Sequence, residues 1–357
     1  MTKNLHNLPL EEMTVRTNLL TEPTPEDARW ERLLSILAIA RPHGSQSEKD
    51  FVEYMLDEHE PYVLCDPAGE TLAYVIDVGN TEESETMFSC HIDTVDRTET
   101  PHPLHVKEGN IIGTSKDAGC LGADDGAGVW LLLEMIDACI PGCYVFHRGE
   151  ERGGIGSRAI AQHHPGFLRG FKRAIAFDRR GTHSVITHQM RRCCSDEFAE
   201  ALAGQLTENI DPEWFFAPDD TGIFTDTANY TDDIGECTNV SCGYEHEHGP
   251  GETLDVKFLF ALREACLRVD WEALPSKRRP GEVDPDDFMP AYYGYRGTSM
   301  SDWDKEFDYY KPSPEKKHMT IFEAATLDYY DLEDWIVDYP DQAAEMLFNL
   351  LHREDLK

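Results

Sequence analysis

The chain has 357 residues, 40% of them hydrophobic, and carries 68 acidic against 32 basic side chains, a formal net charge of −36. That length is enough for a full core, as one large α/β domain or as domains of ~100–200 residues each. A charge of this sign repels phosphate backbones and anionic lipid, and no apolar run reaches the roughly 20 residues that span a bilayer, so neither nucleic acid nor a membrane is expected as a partner.

In chain order, residues 1–25 are polar, contain Pro9, Pro23 and Pro25, and are expected to form an N-terminal arm without a signal-peptide core. From Glu26 the spacing of Trp30, Leu33, Leu34, Leu37 and Ala38 predicts an amphipathic helix stopped by Pro42. Ser45 and Glu48 offer a capping box for a second helix carrying Phe51, Val52, Met55 and Leu56. Tyr62–Cys65 and Thr71–Val78 read as a hairpin around Asp66-Pro67-Ala68-Gly69, and Thr86–Cys90 as a short buried strand. Gly128–Ile140 is apolar nearly all round, as a helix buried against a sheet would be.

Further on, strands are expected at Cys143–Phe146, Ala174–Phe177, His183–Thr187 and Asn239–Gly243. Helices are expected at Ser157–His163, Ser195–Thr207 and Leu254–Val269. Such alternation implies an α/β fold: a mixed, mostly parallel sheet sandwiched by helices. The core domain is expected over residues 26–275. Residues 276–357 read as a linker rich in Pro, Gly and Asp, followed by a small acidic helical tail. The ten cysteines form no paired CxxC pattern and lie in or beside apolar segments, so they are expected to be reduced thiols in a cytoplasmic protein.

Five segments place acids or imidazoles just after predicted strands, where open α/β sheets keep their sites. They are SCHIDTVD (89–96), LGADDGAG (121–128), VFHRGEERGGIGS (145–157), AIAFDRRG (174–181) and YEHEHGPGETLD (244–255). Adjacent acids are common in a chain this acidic, and alone each pair reads as solvated. Here the pairs follow apolar strands and sit beside glycines that let the backbone turn sharply. Carboxylates converging in a partly buried cleft repel one another unless a cation is present.

Taken together, the ordered set HxD, ADD, EE, D and H resembles the co-catalytic di-zinc exopeptidases, the group of peptidase T, carboxypeptidase G and the bacterial leucyl aminopeptidases. The likeness covers about residues 86–260. Carried over residue by residue, it implies that His91 binds one metal ion and that the Asp93 carboxylate fixes the tautomer of its ring. Asp124 would bridge two ions, with Asp125 following it in a strained peptide. Glu150 would be the general base, Glu151 a terminal ligand of one ion and Asp178 a ligand on the other side of the pair. His248 matches the last ligand best, with His246 as competitor. Two divalent ions are implied, Zn²⁺ or else Mn²⁺ or Co²⁺, activating a water whose proton Glu150 takes and passes to the departing amine.

The gaps from His91 to Asp124 and from Asp178 to His248 leave no room for a large inserted domain, which favours a single-domain aminopeptidase layout acting on small peptides. A free substrate α-amine is then expected to meet the metal ions and nearby acids such as Asp226. Two readings compete: an amidohydrolase that deacylates N-acyl amino acids with the same ions, and a non-catalytic relative used for protein contact.

Overall fold

The computed structural model describes residues 25–79, 84–107, 111–115 and 119–284. Residues 1–24 of the N-terminal arm and the helical tail lie outside these residues. The chain opens with helices α1 (Pro25–Leu37) and α2 (Gln46–Met55), then strands β1 (Tyr62–Cys65), β2 (Thr71–Val78), β3 (Thr86–His91), β4 (Leu104–Lys107) and β5 (Ile111–Thr114). Helix α3 (Ala123–Asp137), β6 (Gly142–His147), α4 (Ile155–His163), α5 (Pro165–Leu168) and β7 (Arg173–Arg179) follow. Next come β8 (Ser184–Ile186), β9 (His188–Gln189), β10 (Arg191–Arg192), α6 (Asp196–Asn209) and β11 (Ala217–Asp219). The last elements are β12 (Glu236–Ser241), β13 (Tyr244–Glu245), β14 (Thr253–Asp255) and α7 (Val256–Cys266).

Eight strands form the main sheet in the order β1-β2-β6-β3-β7-β12-β8-β11. The central four, β6, β3, β7 and β12, are parallel, and antiparallel partners flank them on both sides. Strands β3 and β6 are buried along their whole length because apolar layers cover both faces of the sheet. One layer gathers α1, α2, α3, α6 and α7, with Trp130 of α3 stacked on Phe260 of α7 at 4.7 Å between ring centroids. The other layer includes Ile160 and Tyr230 against Val75, Val145 and Ala174. The mixed, mostly parallel sheet between helices is therefore the architecture found. Among the described residues no helix is long and apolar enough to cross a membrane, and all ten cysteines are free.

Four expectations shift in detail. The Ser45 hydroxyl does cap α2 by accepting from Glu48 N, but the Glu48 carboxylate reaches past it to Gly44 N (2.8 Å) and Arg148 (2.6 Å), so the box is only half made. Helix α7 starts at Val256 rather than Leu254, since the Asp255 carboxylate caps Phe258 N (3.0 Å) and leaves residues 253–255 extended to pair with β5. Helix α3 begins ahead of Gly128, yet Asp124 and Asp125 have non-helical dihedrals, and Asp125 Oδ1 accepts from Gly128 N at 3.0 Å like a cap. The second sheet, β13-β14-β5-β4, was not expected from its short strands.

Candidate metal centre

The carboxyl ends of the parallel strands deliver the site. His91 is the final residue of β3, and Asp178 is the penultimate residue of β7. After β6 the chain turns through Gly149, at φ 74° in the region glycine favours, into a 3-10 turn that presents Glu150 and Glu151. Asp124 and Asp125 sit where the chain enters α3, joined by a cis peptide bond. Gly128 is required for a different reason: a Cβ there would stand 2.3 Å from Phe177 O, so only glycine lets α3 approach β7. His248 arrives from the loop between β13 and β14.

The Asp124 carboxylate forks. Its Oδ1 lies 3.1 Å from His91 Nε2, and that nitrogen is 3.6 Å from Asp178 Oδ1. Its Oδ2 lies 3.2 Å from His248 Nε2, which is also 3.2 Å from Glu151 Oε2. Two groups of donors, His91 with Asp178 and His248 with Glu151, thus share one carboxylate between them. Glu150 Oε2 stands farther off, 4.0 Å from His91 Nε2. His246 makes no such approach in this site, so the geometry brings in His248 of the two.

Charge follows from this crowding. Burial alone would raise Asp124, but hydrogen bonds with His248 and His91 outweigh it and hold the carboxyl below the usual range. Burial, with the Asp124 charge added, pushes Asp178 up to about 6 and Glu151 up to about 7. Glu150 is raised well above its ordinary value, first by burial and then by Asp178, Asp226 and Glu151. Burial would lower His248, yet hydrogen bonds to Asp124 and Glu151 take it up to about 11. A cluster that must load imidazoles with protons to keep its carboxylates charged is one that divalent cations would satisfy. Buried Glu151 Oε1, which has no hydrogen-bond partner, fits the same need.

Asp93 works differently from the part the resemblance implied. The His91 Nδ1–H donates to the Asp93 main-chain oxygen at 3.0 Å, a carbonyl that can only accept, so the ring is fixed with Nε2 toward Asp124. The Asp93 carboxylate is 3.7 Å from that nitrogen and instead accepts from Gly149 N (2.8 Å), Glu150 N (3.1 Å) and Glu151 N (3.2 Å). It pins the turn that carries both glutamates. Asp226 is only 1% exposed and lies against His147, 3.5 Å from its Nδ1.

Several site residues escaped the sequence reading. Asp178 is held by Asn239, whose amide brackets its main chain (2.8 and 2.7 Å), and by the hydroxyls of Thr225 (2.6 Å) and Tyr244 (3.1 Å). Glu252 accepts four main-chain N–H groups: Leu121 (2.7 Å) and Gly122 (3.2 Å) on one oxygen, Ala123 (2.8 Å) and Asp124 (3.0 Å) on the other. It ties the loop of His248 to the loop of Asp124. The available signal was a glutamate four residues after His248 with Gly249 and Gly251 between them. Glu252→Gln removes the acceptor for two of those N–H groups. Metal affinity is expected to fall about 10–100-fold, as loss of an outer partner does elsewhere, and titration of the metal-stripped chain measures it. Arg180 meets Glu247 at 3.1 Å, and Arg191 meets Asp232 at 3.1 Å.

Residues 73–234 match peptidase family M28. Among solved structures, aminopeptidase PepT from Bacillus cereus superposes with a TM-score of 0.51 at 13% identity, covering 68% of this chain and 97% of that one. A tripeptidase from Staphylococcus aureus gives 0.51 at 15% identity, covering 68% and 97%. A TET aminopeptidase from the marine sediment archaeon Thaumarchaeota archaeon SCGC AB-539-E09 gives 0.52 at 10% identity, covering 69% and 96%. No curated protein matches the chain in sequence. The resemblance read from the five motifs is borne out, and the class is that of a metal-dependent peptidase with the zinc-exopeptidase fold.

Proposed function

Taking the family M28 match over residues 73–234 as premise, we propose that this chain is an aminopeptidase of small peptides that works with two divalent ions, Zn²⁺ first and Mn²⁺ or Co²⁺ as substitutes. The observation that carries the reading is the forked Asp124 carboxylate, with His91 and Asp178 on one oxygen's side and His248 and Glu151 on the other's. These five residues would hold the ions. When bound, such a pair supplies Lewis-acid polarisation of the scissile carbonyl and a water of lowered pKa.

The chain's own part is proton handling and aim. Glu150, free of the His248 contact that engages Glu151, accepts the water's proton and returns it to the departing amine. Asp93 sets the angle of the turn through three N–H groups, and Glu252 sets Asp124. The side of the centre left open is that of His248, whose side chain is 53% exposed, so the peptide's free end is taken to approach from there. Ten unpaired thiols fit a reducing compartment, which favours the cytoplasm.

A panel of aminoacyl-anilides and N-acyl amino acids, with and without chelator, tests the reading. Turnover of free-amine substrates only, abolished by chelator and restored by Zn²⁺, is the expected result. Turnover confined to N-acyl amino acids would make the chain a deacylase instead, and metal-dependent turnover of neither would make it a non-catalytic relative.

A further inference from the structure

We propose that Asp96, His102 and Cys120 form a third cation site, taking one thiophilic divalent ion such as Zn²⁺ and sharing no residue with the centre around Asp124. The His102 main-chain N–H donates to Ala38 O (2.9 Å) and its ring Nδ1 lies 2.8 Å from Leu37 O, a carbonyl that can only accept. Nδ1 therefore carries the proton, and the remaining nitrogen, Nε2, points at Asp96 Oδ2 from 3.0 Å. Cys120 Sγ stands 3.3 Å from that same oxygen. A ring nitrogen, a carboxylate oxygen and a sulfur thus meet at one point, each on a side chain or residue no more than 6% exposed. A ring whose second nitrogen donates to a main-chain carbonyl is the arrangement that metal-binding histidines use to fix their tautomer.

The spacing supports the same assignment. In a tetrahedral shell with bonds of about 2.0–2.1 Å to nitrogen or oxygen and about 2.3 Å to sulfur, neighbouring donors stand roughly 3.3–3.6 Å apart. The separations here fall within a few tenths of an ångström of that, as do the 3.1 and 3.2 Å imidazole–carboxylate separations around Asp124. The neighbouring cation does not fill the role: Arg41 spends its guanidinium on the carbonyls of Ile92, Ile36, Ile39 and Gly122. Thr94 supplies a further donor to Asp96 Oδ2 at 2.7 Å, and a Cβ at position 119 would stand 2.9 Å from Asp96 Oδ1, so the backbone is drawn in close. Sulfur with nitrogen and oxygen selects Zn²⁺ over Mg²⁺ or Ca²⁺. An ion here fastens the segment after β3, which carries Asp93, to the segment before α3, which carries Asp124.

The two sites differ in one measurable way: the donors around Asp124 include no sulfur. The full chain is stripped with chelator, reloaded with Co²⁺ and read by absorption and elemental analysis. A thiolate-to-cobalt charge-transfer band with three ions per chain is expected. Cys120→Ser should lose the band and one ion while peptide turnover persists. His102→Gln should also lose one ion, and this second variant serves if the first fails to fold. Two ions per chain with turnover but no band overturns the proposal, leaves His102 and Asp96 as an ion pair, and leaves the peptidase reading intact. A band that survives Cys120→Ser in a folded chain overturns it as well, since another cysteine is then the ligand.

Discussion

Replacing Glu150 with Gln is expected to lower kcat by roughly 10²–10⁴-fold while the chain keeps its full complement of ions. The amide has the shape of the carboxylate but cannot take a proton from water, so the loss falls on chemistry rather than on assembly. Metal retention follows from geometry: Glu150 Oε2 is 4.0 Å from His91 Nε2, whereas the carboxylates that group with the imidazoles approach to 3.1–3.6 Å. The main-chain N–H of residue 150 goes to Asp93 whatever its side chain, so the turn survives the change. Elemental analysis beside steady-state kinetics separates the two effects. Turnover within a few-fold of the parent would remove Glu150 from the role of base, and loss of an ion would make it a ligand.

A pH profile adds a second reading of the same residue. Glu150 has to be ionised to act, and in the metal-free chain burial with the surrounding carboxylates raises its proton affinity. Activity of the parent therefore falls as pH drops through that group's titration, and the Gln variant's residual rate should lack that acidic limb.

What could be read from the sequence divides along physical lines. The central strands were legible because burial on both faces leaves largely apolar runs such as TMFSCH and GCYVFH, and α3 because GVWLLLEMID is apolar nearly all round. His91, Glu150, Glu151 and Asp178 follow strand ends that converge in a parallel sheet, whereas Asp124 sits where the chain enters α3, and the part given to each came from the resemblance of the ordered motifs. Strands β4 and β14 were not, since four- and three-residue segments beside loops carry too little periodicity to be told from turns. Nor was the use of Asp93 and Glu252 as acceptors of main-chain N–H groups. That role depends on where a backbone passes rather than on any residue type at a spacing, and in a chain with 68 acids one more glutamate carries no signal.

Asp124→Asn should have a larger effect than the change at Glu150, because it removes a group that two halves of the centre share. Each Asp124 oxygen faces a different imidazole, and the amide of asparagine places an N–H donor where one of those acceptors stood. At most one ion is expected to remain, with turnover below detection even at Zn²⁺ concentrations that saturate the parent. The metal-free protein offers a readout independent of activity. Burial acts to lower His248, and hydrogen bonds to Asp124 and Glu151 lift it to about 11. With Asp124 neutral, half of that support is gone, so the His248 titration followed by NMR should move to lower pH. An unmoved His248, together with two ions still bound, would show that the halves assemble without the shared carboxylate, and the forked contact would then be packing rather than the hinge of the site.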